Sequence, residues 1–401
     1  MKMNKWTVGL TALGVVSLAS AVRAEEKMNV VETTLSATTL SGYVDTSAQL
    51  NFGPGAAQNM PGYAFNGPQY ANGFNLDVVG LTLQKPLTEG EWAAGYKVDL
   101  WMGPYANQLN TSSMFSSVND FCIKQAYVAL RVPVGNGINF KMGVFDSILG
   151  YESTASGANP NWSRSYGYTM EPTTFTGLLG TYQVCEAVAF SAGVADTYGA
   201  QINQRNVDNP SFLAYMGSVA LTAPESMGFL AGSALYAGIV NGLNTASPAN
   251  AGTLPSISSI GGVNQTSYYV GATVNTPLKA LKVGAAYDYV GVNAQPLTMQ
   301  NPGYANAIAG YASYQATEKM SLHGRMEYAT HGGPSMPGLP TRVLGMTGTV
   351  QYDLWANVLT RIEARFDRDL NGANSFGANA GSAAPVSQNA FILALNVIYK
   401  F

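Results

Sequence analysis

From residue 40 to residue 401 the chain alternates in two ways at once. Within segments of about ten to thirteen residues, apolar and polar side chains alternate with a period of two. That is the pattern of half-buried strands. Between segments, short turns alternate with long loops. We count sixteen segments. The seven short turns include Pro86–Gly90, Cys185–Glu186 and Leu354–Trp355, and the eight long loops are 53–72, 103–120, 147–174, 197–211, 241–264, 293–303, 331–340 and 369–388. Strands of this length cross a bilayer when tilted. An even strand number, with short turns at one end and long loops at the other, describes an all-β transmembrane antiparallel up-and-down β-barrel with periplasmic turns and extracellular loops. A soluble sandwich or propeller has no reason to keep that alternation.

Composition agrees. Charged residues are 11% of the chain, against about 25% in soluble domains. Hydrophobic residues are 47%, yet past the N-terminus no run of about 20 apolar residues exists to make a spanning helix. Residues 1–24 read as a signal peptide: Lys2 and Lys5, an apolar core from Val8 to Ala19, and the cleavage-site residues Val22-Arg23-Ala24. Residues 25–39 read as a short periplasmic lead-in, and 40–401 as the barrel. Without Lys2, Lys5 and Arg23 the 20 basic residues fall to 17 against 23 acidic, a net charge of −6. A nucleic-acid partner drawn by bulk charge is thereby excluded.

Period two also tells where charges point. Arg361, Glu363, Arg365 and Asp367 alternate with Ile362, Ala364 and Phe366, so all four share one face. A lipid-facing Arg at the midplane costs about 2–4 kcal/mol, so that face is the lumen. The same argument sends Arg325 and Glu327, Lys97 and Asp99, and Lys141 inward. These nine residues are the expected lining of a water-filled pore. In 121–132, Lys124 and Arg131 fall on opposite faces by strict parity. Exchanging Arg361 and Arg365 for Glu is expected to move ion preference toward cations. The last strand places Phe391, Leu393, Leu395, Val397, Tyr399 and Phe401 on one lipid-facing side. Its terminal Tyr399 and Phe401 resemble the signal read by the barrel-assembly machinery.

Little catalytic chemistry is legible. Cys122 and Cys185 fall at opposite ends of the wall, too far apart for a disulfide. His323 lies on a strand and His331 in a loop, and neither has a partner at metal-ligand spacing. No metal, cofactor or catalytic residue is expected, and no enzyme.

Four pieces resemble the β-barrel porin-2 (OmpL-like) family: the thirteen residues from Gln125 to Gly137, then Gly143 to Glu152, Asn159 to Tyr166, and Thr176 to Tyr182. The resemblance implies an outer-membrane barrel with porin-like activity. In general porins the third long loop folds inward and narrows the barrel. By that similarity Glu152, Arg164 and Glu171 of loop 147–174, with Asp146 before it, are the expected constriction. The alternative is an external lid or a subunit contact. The leading expectation is passive diffusion of small polar solutes and ions. Its rivals are a solute-specific channel with a Tyr151, Tyr166 and Tyr168 stacking track, and a closed structural or adhesive surface barrel. Expected partners are outer-membrane lipid and lipopolysaccharide, the assembly machinery and, by analogy, a homotrimer.

Overall fold

The computed structural model describes residues 31–32, 38–88, 90–109, 111, 120–205, 212–244, 263–293, 302–332, 340–379 and 383–401. The expected signal segment 1–24 and most of the lead-in 25–39 lie outside the described residues.

Sixteen strands form one closed antiparallel ring. In chain order they are β2 (Thr39–Phe52), β3 (Gly73–Lys85), β4 (Ala93–Met102), β5 (Phe121–Val132), β6 (Ile138–Asp146), β7 (Thr174–Cys185), β8 (Val188–Ala195) and β9 (Ala214–Thr222). There follow β10 (Ala234–Asn244), β11 (Val263–Asn275), β12 (Leu281–Val292), β13 (Gly303–Gln315), β14 (Met320–Gly332), β15 (Arg342–Trp355), β16 (Val358–Asp369) and β17 (Asn389–Lys400). Each pairs with the next, and β17 returns to β2 with Phe391 opposite Phe52 and Lys400 opposite Tyr43. Closure leaves no unpaired sheet edge. A two-residue strand, β1 (Val31–Glu32), pairs with the start of β2.

Every expected strand is present, most within two or three residues. The largest shift is β10, expected at 229–240. There Glu225–Leu230 winds into a 3-10 turn that passes through Gly228 at φ 61°. That left-handed step suits glycine, and it delays the strand.

Facing follows period two. Ile362 is 56% exposed, whereas its neighbours Arg361 and Glu363 are 1% and 2% exposed. On β17, Phe391, Leu395 and Tyr399 are exposed while Ile392, Ala394, Asn396 and Ile398 are buried. Trp92, Trp355 and Tyr352 are exposed at the short-turn end, and Phe52, Phe74, Phe121 and Phe212 at the long-loop end. Aromatic residues favour these two interfaces.

Four irregularities shift the strand register, and two of them turn an additional charge inward. Between β4 and β5, Asp99 pairs with Gln125 but Leu100 with Ile123, so Lys124 is the extra residue. Lys124 and Gln125 are both buried. The added residue resets the phase, and Lys124 and Arg131 come to share the lumen face. Between β2 and β3 the same irregularity inserts Asp77, fully buried beside Val78. His331, expected in a loop, sits at the end of β14 opposite Ala305.

Candidate functional site

The segment between β6 and β7 enters the barrel and lies along its inner wall. Its first part packs by shape. Ile148, Leu149 and Tyr151 join a buried cluster with Phe175, Leu179, Met216, Tyr236, Val240, Tyr269 and Tyr311. Tyr151 stacks on Tyr311 with ring centroids 4.1 Å apart. The wall makes room with glycines: a Cβ at Gly284 would collide with the Tyr151 hydroxyl, and one at Gly238 would lie 2.6 Å from Leu149. The Tyr236 hydroxyl donates to the Ile148 carbonyl.

The second part is held by charge. Arg325 of β14 reaches Glu152 at 2.9 Å and Glu327 at 3.2 Å. It also donates to the Ser163 carbonyl at 2.7 Å and the Thr347 hydroxyl at 3.1 Å. Arg365 of β16 pairs with Asp367 at 2.9 Å and Glu327 at 3.2 Å, and donates to the Arg164 carbonyl at 2.7 Å. Glu363 accepts the backbone N–H groups of Trp162 and Ser163 at 2.6 and 3.0 Å. Glu327 accepts the Tyr166 N–H at 2.6 Å. Tyr166 opens a short helix, Tyr166–Met170, whose N-cap Ser165 accepts from the Tyr168 N–H. A carboxylate is well placed at that N-terminus. Arg361 donates to the carbonyls of Ser156 and Asn159. Further round the ring, Ser156 donates to Asp45 of β2 and Trp162 Nε1 to Asp77 of β3 at 3.4 Å. Buried ions need partners on every side, and loop and wall supply them to each other.

The expected residues therefore fall into groups. Arg325, Glu327, Arg361, Glu363, Arg365 and Asp367 face the lumen but lie beneath the loop, each 3% exposed or less. The expectation that they meet pore water is corrected accordingly: they seat the loop. Lys97, Asp99 and Lys141 stand on the β4–β6 wall. Lys97 lies 3.0 Å from Asp99, its side chain 27% exposed, and Lys141 sits 5.1 Å above the Tyr127 ring. The four constriction candidates do not converge. Asp146 pairs with Lys124 at 2.7 Å, and Glu152 binds Arg325. Arg164 lies over the Phe65 ring at 5.1 Å. Glu171 is held well above the ordinary carboxylate range, first by burial and then by Asp288. Tyr151, Tyr166 and Tyr168 are buried too, so they present no open stacking track. Tyr399 is exposed, and the Phe401 ring lies over Gly42, whose backbone exchanges two hydrogen bonds with it.

Two inward elements were not legible beforehand. Loop 53–72 buries Tyr63, Phe65 and Tyr70, and the short helix Pro104–Gln108 with Leu109 packs Tyr105 against Phe65 and Tyr70. Their aromatic residues were the available signal. Cys122 and Cys185 are free thiols, one buried and one exposed. Both ring nitrogens of His323 are hydrogen-bonded, to Ser313 and Ser321. Among the described residues no cluster could hold a metal ion.

Comparison with known proteins agrees with this architecture. The chain is similar in fold to OmpT of Vibrio cholerae (13% identity, TM-score 0.55, covering 93% of this chain and 100% of that one), of which one solved form is a trimer. It is similar to the outer membrane channel DcaP of Acinetobacter baumannii (11% identity, TM-score 0.57, 91% and 97% covered). A third likeness is to an anion-selective porin from Comamonas acidovorans (13% identity, TM-score 0.58, 91% and 99% covered). At these identities the likeness concerns the fold. No curated relative matches the chain. The family described as "Putative beta-barrel porin-2, OmpL-like" matches residues 37–401. A closed sixteen-strand barrel, apolar outside and charged inside, is a channel of the bacterial outer membrane for passive diffusion, and the chain belongs to this OmpL-like porin family.

Proposed function

We propose that small polar solutes and ions cross this barrel through the space that loop 147–174 leaves free, and that the seated loop sets the size limit. One observation carries the reading: the loop is pinned to the lumen wall by buried charge on β14 and β16, which holds it as a fixed wall rather than an external lid. No covalent step is invoked; selection is steric and electrostatic. Asp146, Glu152, Arg164 and Glu171 then act through the loop's position, not as a ring of free charges. The same reading takes 1–24 as a signal peptide and 25–39 as a periplasmic lead-in. It takes Tyr399 and Phe401 as the strand end recognised by the assembly machinery, lipopolysaccharide and lipid as the surroundings, and a homotrimer as the assembled state. It assigns the protein no enzymatic activity. The test is single-channel conductance of the detergent-folded protein in a planar bilayer. Stepwise, nearly ohmic insertions support the channel. Silence, with insertion and β-structure proven, would mean a plugged barrel acting through its outer loops.

A further inference from the structure

Seating the loop removes most of the mixed lumen charge from contact with water. Of what remains partly open, one cluster stands on a single wall, apart from the half-buried Lys282 of β12, Asp353 of β15 and Lys400 of β17 near the short turns. The loop's hydrogen bonds to wall side chains fall on β2, β3 and β10–β16. On β4–β6 the picture differs. Side chains there include Lys97 and Asp146 at 27% and 36% exposure, with Lys141 and Arg131 half-buried.

Strand register orders four cations down this wall. β5 runs from the long-loop end to the short-turn end. Lys124 is the bulged residue near its start, with Asp146 beside it. Lys97 pairs with Tyr127, Lys141 with Ala129, and Arg131 with Asn139. Successive steps of two residues are roughly 7 Å apart. A cation therefore stands at each level from one mouth toward the other. The bulge matters, because by strict parity Lys124 would point at lipid.

Two carboxylates share the wall, and both are engaged. Asp99 accepts from Thr82 at 2.6 Å and from Gln125 at 2.9 Å, and it pairs with Lys97. Asp146 pairs with Lys124. Lys141 lies over the Tyr127 ring, and Arg131 donates to the Asn139 side chain and the Asn136 carbonyl. Neither makes a salt bridge among the described residues. The wall carries four positive charges against two negative.

We propose that solute follows the β4–β6 wall and that the channel prefers anions, small carboxylates and phosphates among them, drawn past Lys97 to Lys141 and Arg131. The proposal rests on the channel reading above. It replaces the weak charge preference that an even mixture of exposed lumen charges would give.

The experiment is the reversal potential of the reconstituted protein under a tenfold KCl gradient, for wild type, the double variant Lys141→Glu with Arg131→Glu, and the charge-keeping pair Lys141→Arg with Arg131→Lys. Wild type is expected to pass chloride over potassium on the order of threefold. The Glu pair should reverse the preference, and the charge-keeping pair should retain it. Conductance steps with a zero or cation-signed reversal potential in wild type would overturn the anion proposal and leave the channel standing. An anion preference that survives the Glu pair, in a variant shown to give normal conductance steps, would overturn the assignment to this wall. Absence of steps from folded, inserted wild type would instead remove the channel reading itself.

Discussion

The guanidinium of Arg365 lies 3.7 Å from the centre of the Tyr63 ring. One strand residue thus clasps loop 53–72 on one side, Asp367 on another, and the Arg164 carbonyl of the inserted loop on a third. Stacking and forked hydrogen bonding together are what a guanidinium offers and an ammonium does not.

Replacing Arg365 with Ala leaves Asp367 without its cation in a buried site and takes one of two from Glu327. Breaking such a pair costs about 3–5 kcal/mol, so the variant should unfold at much lower denaturant in detergent. Arg365→Lys should recover only part of the loss. By the same reasoning the double exchange of Arg361 and Arg365 to Glu should disturb folding rather than tune ion preference. An intact variant with normal unfolding would contradict the burial described above.

Glu363 holds the loop through two backbone N–H groups. Glu363→Ala leaves both without their acceptor, at about 1–3 kcal/mol each. The loop should loosen while the ring stays closed. Single-channel steps should grow larger and noisier than wild type. Steps of unchanged size would show that the loop does not set the opening.

Glu171 makes the loop's seat sensitive to pH. Its pKa is raised above 4.5, first by burial, then by the carboxylate of Asp288, and finally by that of Glu152. A raised acid binds its proton more tightly in the folded state. The stability that Glu171 contributes is therefore complete below about pH 4 and is lost as pH climbs through the raised value. Thermal unfolding in detergent should move downward with rising pH. The variant Glu171→Gln, neutral throughout, should show a flatter profile. An identical profile would place the dependence elsewhere.

Cys185 reports orientation. It is exposed at the end of β7, beside the turn to β8, while Cys122 is 3% exposed. A bulky maleimide polymer should leave Cys185 unlabelled in intact cells and label it once the periplasm is opened. Cys122 should react only on unfolding. Labelling of Cys185 on intact cells would invert the barrel.

Much of this was legible because a membrane enforces facing strictly. Arg361, Glu363, Arg365 and Asp367 could be turned inward from the sequence, since lipid excludes charge and strand period is two. What water those charges meet was not legible. That depends on where residues 147–174 go, and a loop's path has no period to read. The bulges at Asp77 and Lys124 escaped for a related reason: one inserted residue changes the phase without changing composition. Loop 53–72 showed its aromatics, Tyr63 and Phe65, but not that Arg365 would receive one of them.

The seated loop also fixes an order of events. Trp162 meets Glu363 across 201 residues of chain, Tyr166 meets Asp367 across 201, and Ser156 meets Asp45 across 111. Contacts so distant in sequence are slow to form. These partners lie on strands that become neighbours around one lumen when β17 joins β2. The loop has its full set of partners once that seam is closed, and it then ties both sides of the seam together. Closure and loop docking are thus coupled, and a barrel whose seam parts would release the loop with it.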